Sequence, residues 1–297
     1  MAALFKIALY LLAVAASVSA QPVDSVLVWE SMPLTEEYSI GSFQRATRVV
    51  VRRQNWLCVL DADENKLSLF SNPQDSPKTI GGFGWSAGSF DKPTGVATDG
   101  VHVYVSDFGN HRIQRFDRNL NYVSSFSTRD TSNAACRFGY PIDIALSDLG
   151  DMFVLDGENL RALKFNSQYF FERSIGDINA GKGKLQNPIK ILVTTSSIFI
   201  GERTRIVIFD YFGNYMNSIG NGVVSDLNGF TLLEDGFLAA SSDTLWWFSQ
   251  DGILQKSMPL SHLISGDRID RIQDVASNGD KLFILSPNRL HVFKMSN

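Results

Sequence analysis

The chain has 297 residues, with 27 Lys and Arg against 31 Asp and Glu, a formal charge of −4, 44% hydrophobic residues and two cysteines. That balance offers no electrostatic footprint for nucleic acid, which binds through clustered cations, and Cys58 and Cys136 are too few for a disulfide framework. Beyond a short N-terminal run, no stretch approaches the roughly 20 apolar residues of a membrane span.

Residues 1–20, MAALFKIALYLLAVAASVSA, combine one charge at Lys6, an apolar run from Ile7 and small residues ending at Ala20. This is the pattern of a secretory signal peptide cleaved before Gln21. Residues 21–297 are therefore expected to form an exported protein, periplasmic or extracellular. They are long for one domain unless the domain is an all-β barrel or propeller.

From residue 26 onward the chain reads as short apolar strands separated by Gly, Asp, Asn and Ser, without sustained helical periodicity. Residues 26–34, VLVWESMPL, resemble ILQKSMPL at 253–260. Residues 41–80 hold RVVVRR, WLCVLD and KLSLFS. Residues 81–128 hold the best-preserved unit, with TGVATD, HVYVSD, RIQRFD and YVSSFS as four successive strands. Residues 138–176, 187–220, 227–260 and 268–297 align to it, the last lacking a fourth strand. A phenylalanine closes a similar strand in every unit, at Phe70, Phe116, Phe165, Phe209, Phe248 and Phe293, at intervals of 39 to 49 residues.

A period in the forties means an array of supersecondary units. Six units of four antiparallel strands make an all-β, six-bladed β-propeller. The strand missing from the last unit is expected at residues 26–34, so the N-terminal strand closes the ring and removes two exposed sheet edges. Cys58 and Cys136 fall at different points of the repeat, which predicts two free thiols.

Residues 91–117 are dense in polar groups. Asp107, Gly109 and Asn110 lie between the second and third strands, and Asp99 and Gly100 between the first two. Asp and Asn accept backbone hydrogen bonds in turns and Gly relieves strained geometry, so turn chemistry accounts for the density. The stretch KPTGVATDGVHVYVSDFGNHRIQRFD resembles an NHL repeat through Pro93, Gly95, Val96, Ala97, Val105, Asp107, Asn110, Arg112, Ile113 and Phe116. Blade one keeps Asp61, Lys66 and Phe70 of the pattern, and blade three keeps Pro141, Asp156, Arg161 and Phe165. Blades four to six retain little beyond the hydrophobic skeleton. The resemblance implies a six-bladed ring used mainly as a binding platform.

Propeller enzymes make different demands. Lyases of the peptidylglycine type use histidines around zinc, whereas His102, His111, His262 and His291 do not recur at one strand position, and zinc needs three or four converging ligands. Lactonases and esterases line the axis with oxygen donors for Ca²⁺. Here the axial ends of the six first strands align as Arg48, Gly95, Asp143, Lys190, Gly229 and Asp274, a mixed set that makes a poor cage. Ring order predicts two inter-blade ion pairs from them, Asp143 with Lys190 and Asp274 with Arg48. No strand-to-helix nucleophile elbow and no Gly-rich loop before a helix is read. No catalytic residue, metal ligand or cofactor is therefore assigned.

Trp246 and Trp247 are expected in the core, because both faces of a blade are buried. The longer loops, 127–140 and 176–187, put Arg129, Arg137, Tyr140, Lys182 and Lys184 on one face of the ring, where loops recruit partners. With the axial Arg48, Asp143, Lys190 and Asp274, these form the candidate binding residues. The expectation is an exported, non-enzymatic, monomeric scaffold for a protein or peptide partner, with no nucleic acid bound and no membrane span. The alternative is a propeller hydrolase or lyase, lactonase-like, esterase-like or peptidylglycine-lyase-like, with an axial divalent metal.

Overall fold

The structure is a computed structural model and describes residues 34–51, 56–72, 75–263, 265–266 and 268–295. The proposed signal peptide lies outside them, as does the segment 26–34 except for Leu34. Six four-stranded antiparallel sheets follow one another around a ring. The chain begins with β1 (Thr35–Ile40). Blade one is β2 (Ala46–Val51), β3 (Leu57–Asp61), β4 (Lys66–Phe70) and β5 (Lys78–Gly81); blade two is β6 (Pro93–Thr98), β7 (His102–Asp107), β8 (Arg112–Asp117) and β9 (Tyr122–Phe126). Blade three is β10 (Pro141–Leu146), β11 (Met152–Asp156), β12 (Arg161–Phe165) and β13 (Phe171–Ile175); blade four is β14 (Pro188–Val193), β15 (Ser197–Glu202), β16 (Arg205–Asp210) and β17 (Tyr215–Ile219). Blade five is β18 (Gly229–Leu232), β19 (Gly236–Ala240), β20 (Thr244–Ser249) and β21 (Leu254–Pro259). Blade six has β22 (Asp274–Asn278), β23 (Lys281–Leu285) and β24 (Leu290–Lys294), completed by β1.

The N-terminal strand does close the ring, but it is β1 and not the expected 26–34 segment. β1 pairs antiparallel with β24, with Tyr38 opposite Val292 and Ile40 opposite Leu290. The shift has a packing reason. Tyr38, Ile40 and the following Phe43 supply apolar groups to the core between blades six and one, and pairing two residues earlier or later would keep the same face but lose that fit.

The core is not central. Six separate hydrophobic clusters lie between successive blades, one per interface. Each receives one apolar side chain from the loop that links the two blades: Phe43, Phe90, Phe138, Leu185, Leu227 and Ile272, all at most 8% exposed. The repeat phenylalanines are the other half of this device. Phe70, Phe116, Phe165, Phe209, Phe248 and Phe293 are 0 to 4% exposed. Phe43 meets Phe70 edge-on at 6.3 Å and Phe90 meets Phe116 at 5.9 Å, the geometry aromatic quadrupoles favour. Trp246 joins the interface of blades four and five and Trp247 that of five and six. Cys58 and Cys136 are both buried and free, and burial pushes the Cys58 thiol up, away from its reactive thiolate form.

In blades one to four the innermost strand opens with a register shift: between Ala46 and Arg48, Pro93 and Gly95, Pro141 and Asp143, and Pro188 and Lys190. Proline has no N–H for the ladder and favours strand starts and bulges. The bulge re-aims the residue after it, and that residue is the one at the ring axis. No helix among the described residues is long and apolar enough to cross a membrane.

Candidate functional site

Two places concentrate polar chemistry: the loop face, where inter-blade loops meet the turns joining second and third strands, and the axis.

On the loop face the second strand of blades one to four ends on a buried acid, Asp61, Asp107, Asp156 or Glu202. A buried carboxylate survives only if fully hydrogen-bonded. Asp107 Oδ1 accepts from Asp91 N at 2.8 Å, while Oδ2 accepts from Asn110 Nδ2 and Arg112 Nε at 2.8 Å and from Gln114 Nε2 at 3.1 Å. Arg112 then passes its Nη2 to the carbonyls of Ser86 and Ser89, both at 3.0 Å. Arg161 on Asp156 and Arg205 on Glu202 repeat the strap, reaching the carbonyls of Arg137 and Lys184. The Asp…Asn-x-Arg part of the repeat in blades two and three, and its Glu202–Arg205 counterpart in blade four, therefore tie the preceding inter-blade loop to the blade, and these acids and arginines are consumed in doing so.

Large aromatic and apolar side chains stay exposed on this face among the polar loop residues. Phe83 and Trp85, in the loop from blade one to two, are 74% and 65% exposed, and Ile178 is 70% exposed in the loop from three to four. Gly84, between the two aromatics, accepts from Asn110 Nδ2 at 2.9 Å. Phe108, in the same turn as Asn110, stacks on Tyr140 at 4.8 Å, and His111 meets Tyr140 at 4.6 Å while its Nδ1 contacts the Gly139 carbonyl at 2.7 Å. One chain of contacts thus links the Trp85 loop to Tyr140. Of the cations expected here, Arg129, Arg137, Lys182 and Lys184 are exposed. Arg137 folds back on its own loop, donating to Thr131 O at 2.7 Å. Phe83, Trp85 and Phe108 were not read from the sequence. The signal for Phe83 and Trp85 is aromatics in a Gly- and Ser-rich loop off any strand period, GGFGWSAGSF.

The four charged axial residues all line one cavity of about 400 Å³. Asp143, Lys190 and Asp274 are 3%, 6% and 0% exposed and Arg48 is half-buried, so the charged groups are largely buried in its wall. Their pairing differs from ring order. Lys190 Nζ binds Asp274 Oδ1 at 2.5 Å and Val275 O at 3.1 Å, passing over blade five. Gly229 permits it, since a β-carbon there would collide with the Asp274 carboxylate. Neither expected pair forms. The second oxygen of each aspartate is taken by the next blade's backbone: Val49 N donates to Asp274 at 3.2 Å and Ile191 N to Asp143 at 2.9 Å. Arg48 crosses to blade four, with Nη2 on Ile189 O at 2.6 Å and Nη1 on Thr47 O at 3.0 Å, and its Nε lacks a partner. Thr47 and Ile189 are the bulge residues. Burial pushes the Asp143 carboxyl up to about 6, against the opposing pull of Arg48, the Ile191 hydrogen bond and Lys190.

Among the described residues no three His, Cys, Asp or Glu converge as metal ligands. Ser286, His291 and Glu36 stand in triad order, with Ser286 Oγ 3.5 Å from His291 Nε2 and Glu36 Oε1 2.8 Å from Nδ1. The serine hydroxyl donates instead to Arg289 O at 2.9 Å, and His291 is 1% exposed. A nucleophile needs substrate access; this line fastens β1 to β24.

The NHL repeat family matches residues 90–116, the second blade. The protein brain tumor of Drosophila melanogaster is 28% identical over 147 residues, 48% of this chain; the match spans 14% of that protein's length. Among solved structures, a catalytically inactive virginiamycin B lyase from Staphylococcus aureus with quinupristin superposes with a TM-score of 0.59 at 11% identity, over 84% of this chain and 80% of that one. The selenomethionine form of virginiamycin B lyase from the same organism gives 0.59 at 10%, over 87% and 99%. At such identities the likeness is one of fold. The chain is a six-bladed β-propeller that carries an NHL repeat in its second blade.

Proposed function

We propose that the protein is an exported, non-enzymatic scaffold that binds a protein or peptide partner through its loop face, in the sector of blades one to three. The observation that carries this reading is the exposed aromatic set Phe83, Trp85 and Tyr140 on one face of a rigid ring. Aromatic anchors ringed by cations such as Arg129 and Arg137 are the composition of interaction hot spots. The acids and arginines of the repeat hold loops in place, which keeps the anchors preorganised and lowers the entropy cost of association. Export rests on the signal-peptide pattern of residues 1–20. The enzyme alternative has no support in the donor sets at the axis.

Cross-linking mass spectrometry on the protein purified with its partners tests this. Cross-links are expected at residues 82–92 and 127–140, and Trp85→Ala should weaken the complex by at least tenfold, about 1.4 kcal/mol or more, with the melting temperature unchanged. Cross-links confined to the opposite face would overturn the proposal, and N-terminal sequencing that begins at Met1 would remove export.

A further inference from the structure

The axial ring is a repeated triplet. Arg48, Gly95 and Asp143 from blades one to three are followed by Lys190, Gly229 and Asp274 from blades four to six, a cation, a glycine and an acid each time. The halves are alike in detail. A β-carbon on Gly95 would strike Asp143 Oδ1 as one on Gly229 would strike Asp274 Oδ1, and each acid takes the next blade's N–H with its other oxygen. They differ in where the cation lies. In the second half the cation fills its place, with Lys190 Nζ between Asp274 Oδ1 and the Val275 carbonyl. In the first half the cation is diverted, because Arg48 donates to Thr47 O and Ile189 O. The position equivalent to the Lys190 ammonium, beside Asp143 and the carbonyl of Ile144, receives no side-chain ammonium.

That position faces the cavity of about 400 Å³, within the size of small-molecule sites. Its walls combine aliphatic Val50, Val96, Ile191 and Leu232 with Thr98 and Thr231, and half-exposed Leu146 and Ser277 stand towards the far ends of the innermost strands. When ionised, the two acids and two cations sum to no net charge, so a ligand of net charge would leave a buried charge uncompensated. We infer that the axial cavity binds a small aliphatic zwitterion, an α-amino acid in chemistry, with its ammonium on Asp143 and the Ile144 carbonyl and its carboxylate towards Arg48. Nη1 and Nη2 of half-buried Arg48 each keep one hydrogen beyond those given to Thr47 O and Ile189 O, and these are the donors left for that carboxylate. The hydrocarbon side chain lies along the aliphatic walls. The site is independent of the loop face.

Calorimetric titration of the purified protein at pH 8 tests it with three probes sharing one hydrocarbon body: L-leucine, isoamylamine without the carboxylate, and isovalerate without the ammonium. Leucine is expected to bind, with each of the other two at least tenfold weaker. Asp143→Asn should weaken leucine by about tenfold, the scale of one charged hydrogen bond. Ala276→Leu, at a half-buried position on the cavity wall, should abolish binding by occupying the space while leaving the melting temperature in place. No leucine binding at millimolar concentration, equal binding of either other probe, or binding indifferent to Ala276→Leu overturns the inference.

Discussion

At Asp143 burial opposes ionisation strongly enough to set a pH dependence for the whole fold. Its carboxyl titrates near 6 in the folded protein, raised from an ordinary value of 3.8. Because the folded state holds the proton more tightly, the associated stability is fully present below pH 3.8 and is lost as pH rises through 6. The gap corresponds to about 3 kcal/mol. Asp143→Asn keeps an oxygen to accept from Ile191 N and carries no charge to bury. Urea denaturation of both proteins from pH 4 to 7.5 should show the variant gaining on the native chain by roughly this amount across the range; a constant difference would mean that Asp143 is solvated. The pairings at the axis also explain what the sequence could and could not disclose. Strand register identified the four residues that converge there. Partner choice escaped it, because adjacency in the ring does not reveal that Gly229 lets Lys190 pass over a blade or that the bulge at Ile189 offers Arg48 a carbonyl.

Closure depends on one element. β1 covers the edge of β24, anchors Glu36 on His291, pairs Glu37 with Lys281 at 2.8 Å and delivers Tyr38 and Ile40 to the core between blades six and one. Without it β24 presents a row of unpaired backbone groups, a template for association, and the first interface loses part of its apolar burial. Deleting Thr35–Ile40 should cost more than about 5 kcal/mol, since buried Ile40 is worth about 2 to 5 and the broken Glu36–His291 pair about 3 to 5, with partly buried Tyr38 adding to them. Calorimetry should then show a lower melting temperature, with size-exclusion chromatography showing association as exposed edges pair, and a melt identical to the native one would contradict the topology. The sequence pointed to the N-terminal closure but to the wrong segment. VLVWESMPL resembles the outer strand of blade five in residue type, while the deciding contribution, the placement of Tyr38, Ile40 and Phe43 against blade one, is a tertiary fit that similarity of letters does not contain.

At the scale of the molecule, the period in the forties was legible because every blade must bury the same two faces against its neighbours, which forces the same phenylalanine at the same place. The exposed aromatics obey no such repetition, so neither periodicity nor composition selects Trp85 over Trp246. The same architecture governs how the ring unfolds. A linear array of repeats can melt in pieces, each repeat touching only its neighbours. Here the six inter-blade cores form a closed cycle through β1, Lys190 with Asp274 and Arg48 with the Ile189 carbonyl tie non-adjacent blades across the axis, and Asp143 ties blade three to blade four. Phe116→Ala and Phe209→Ala lie in different interfaces and share no cluster. Each should cost about 3 to 5 kcal/mol, their effects should add, and both should lower a single calorimetric transition. Loss of one blade cannot be confined, because opening any interface leaves its two neighbours facing water and breaks the ties at the axis. If Phe116→Ala instead produced an early transition for blades one and two ahead of a native-like one for the rest, the ring would behave as an open array and the axial ties would carry no cooperativity.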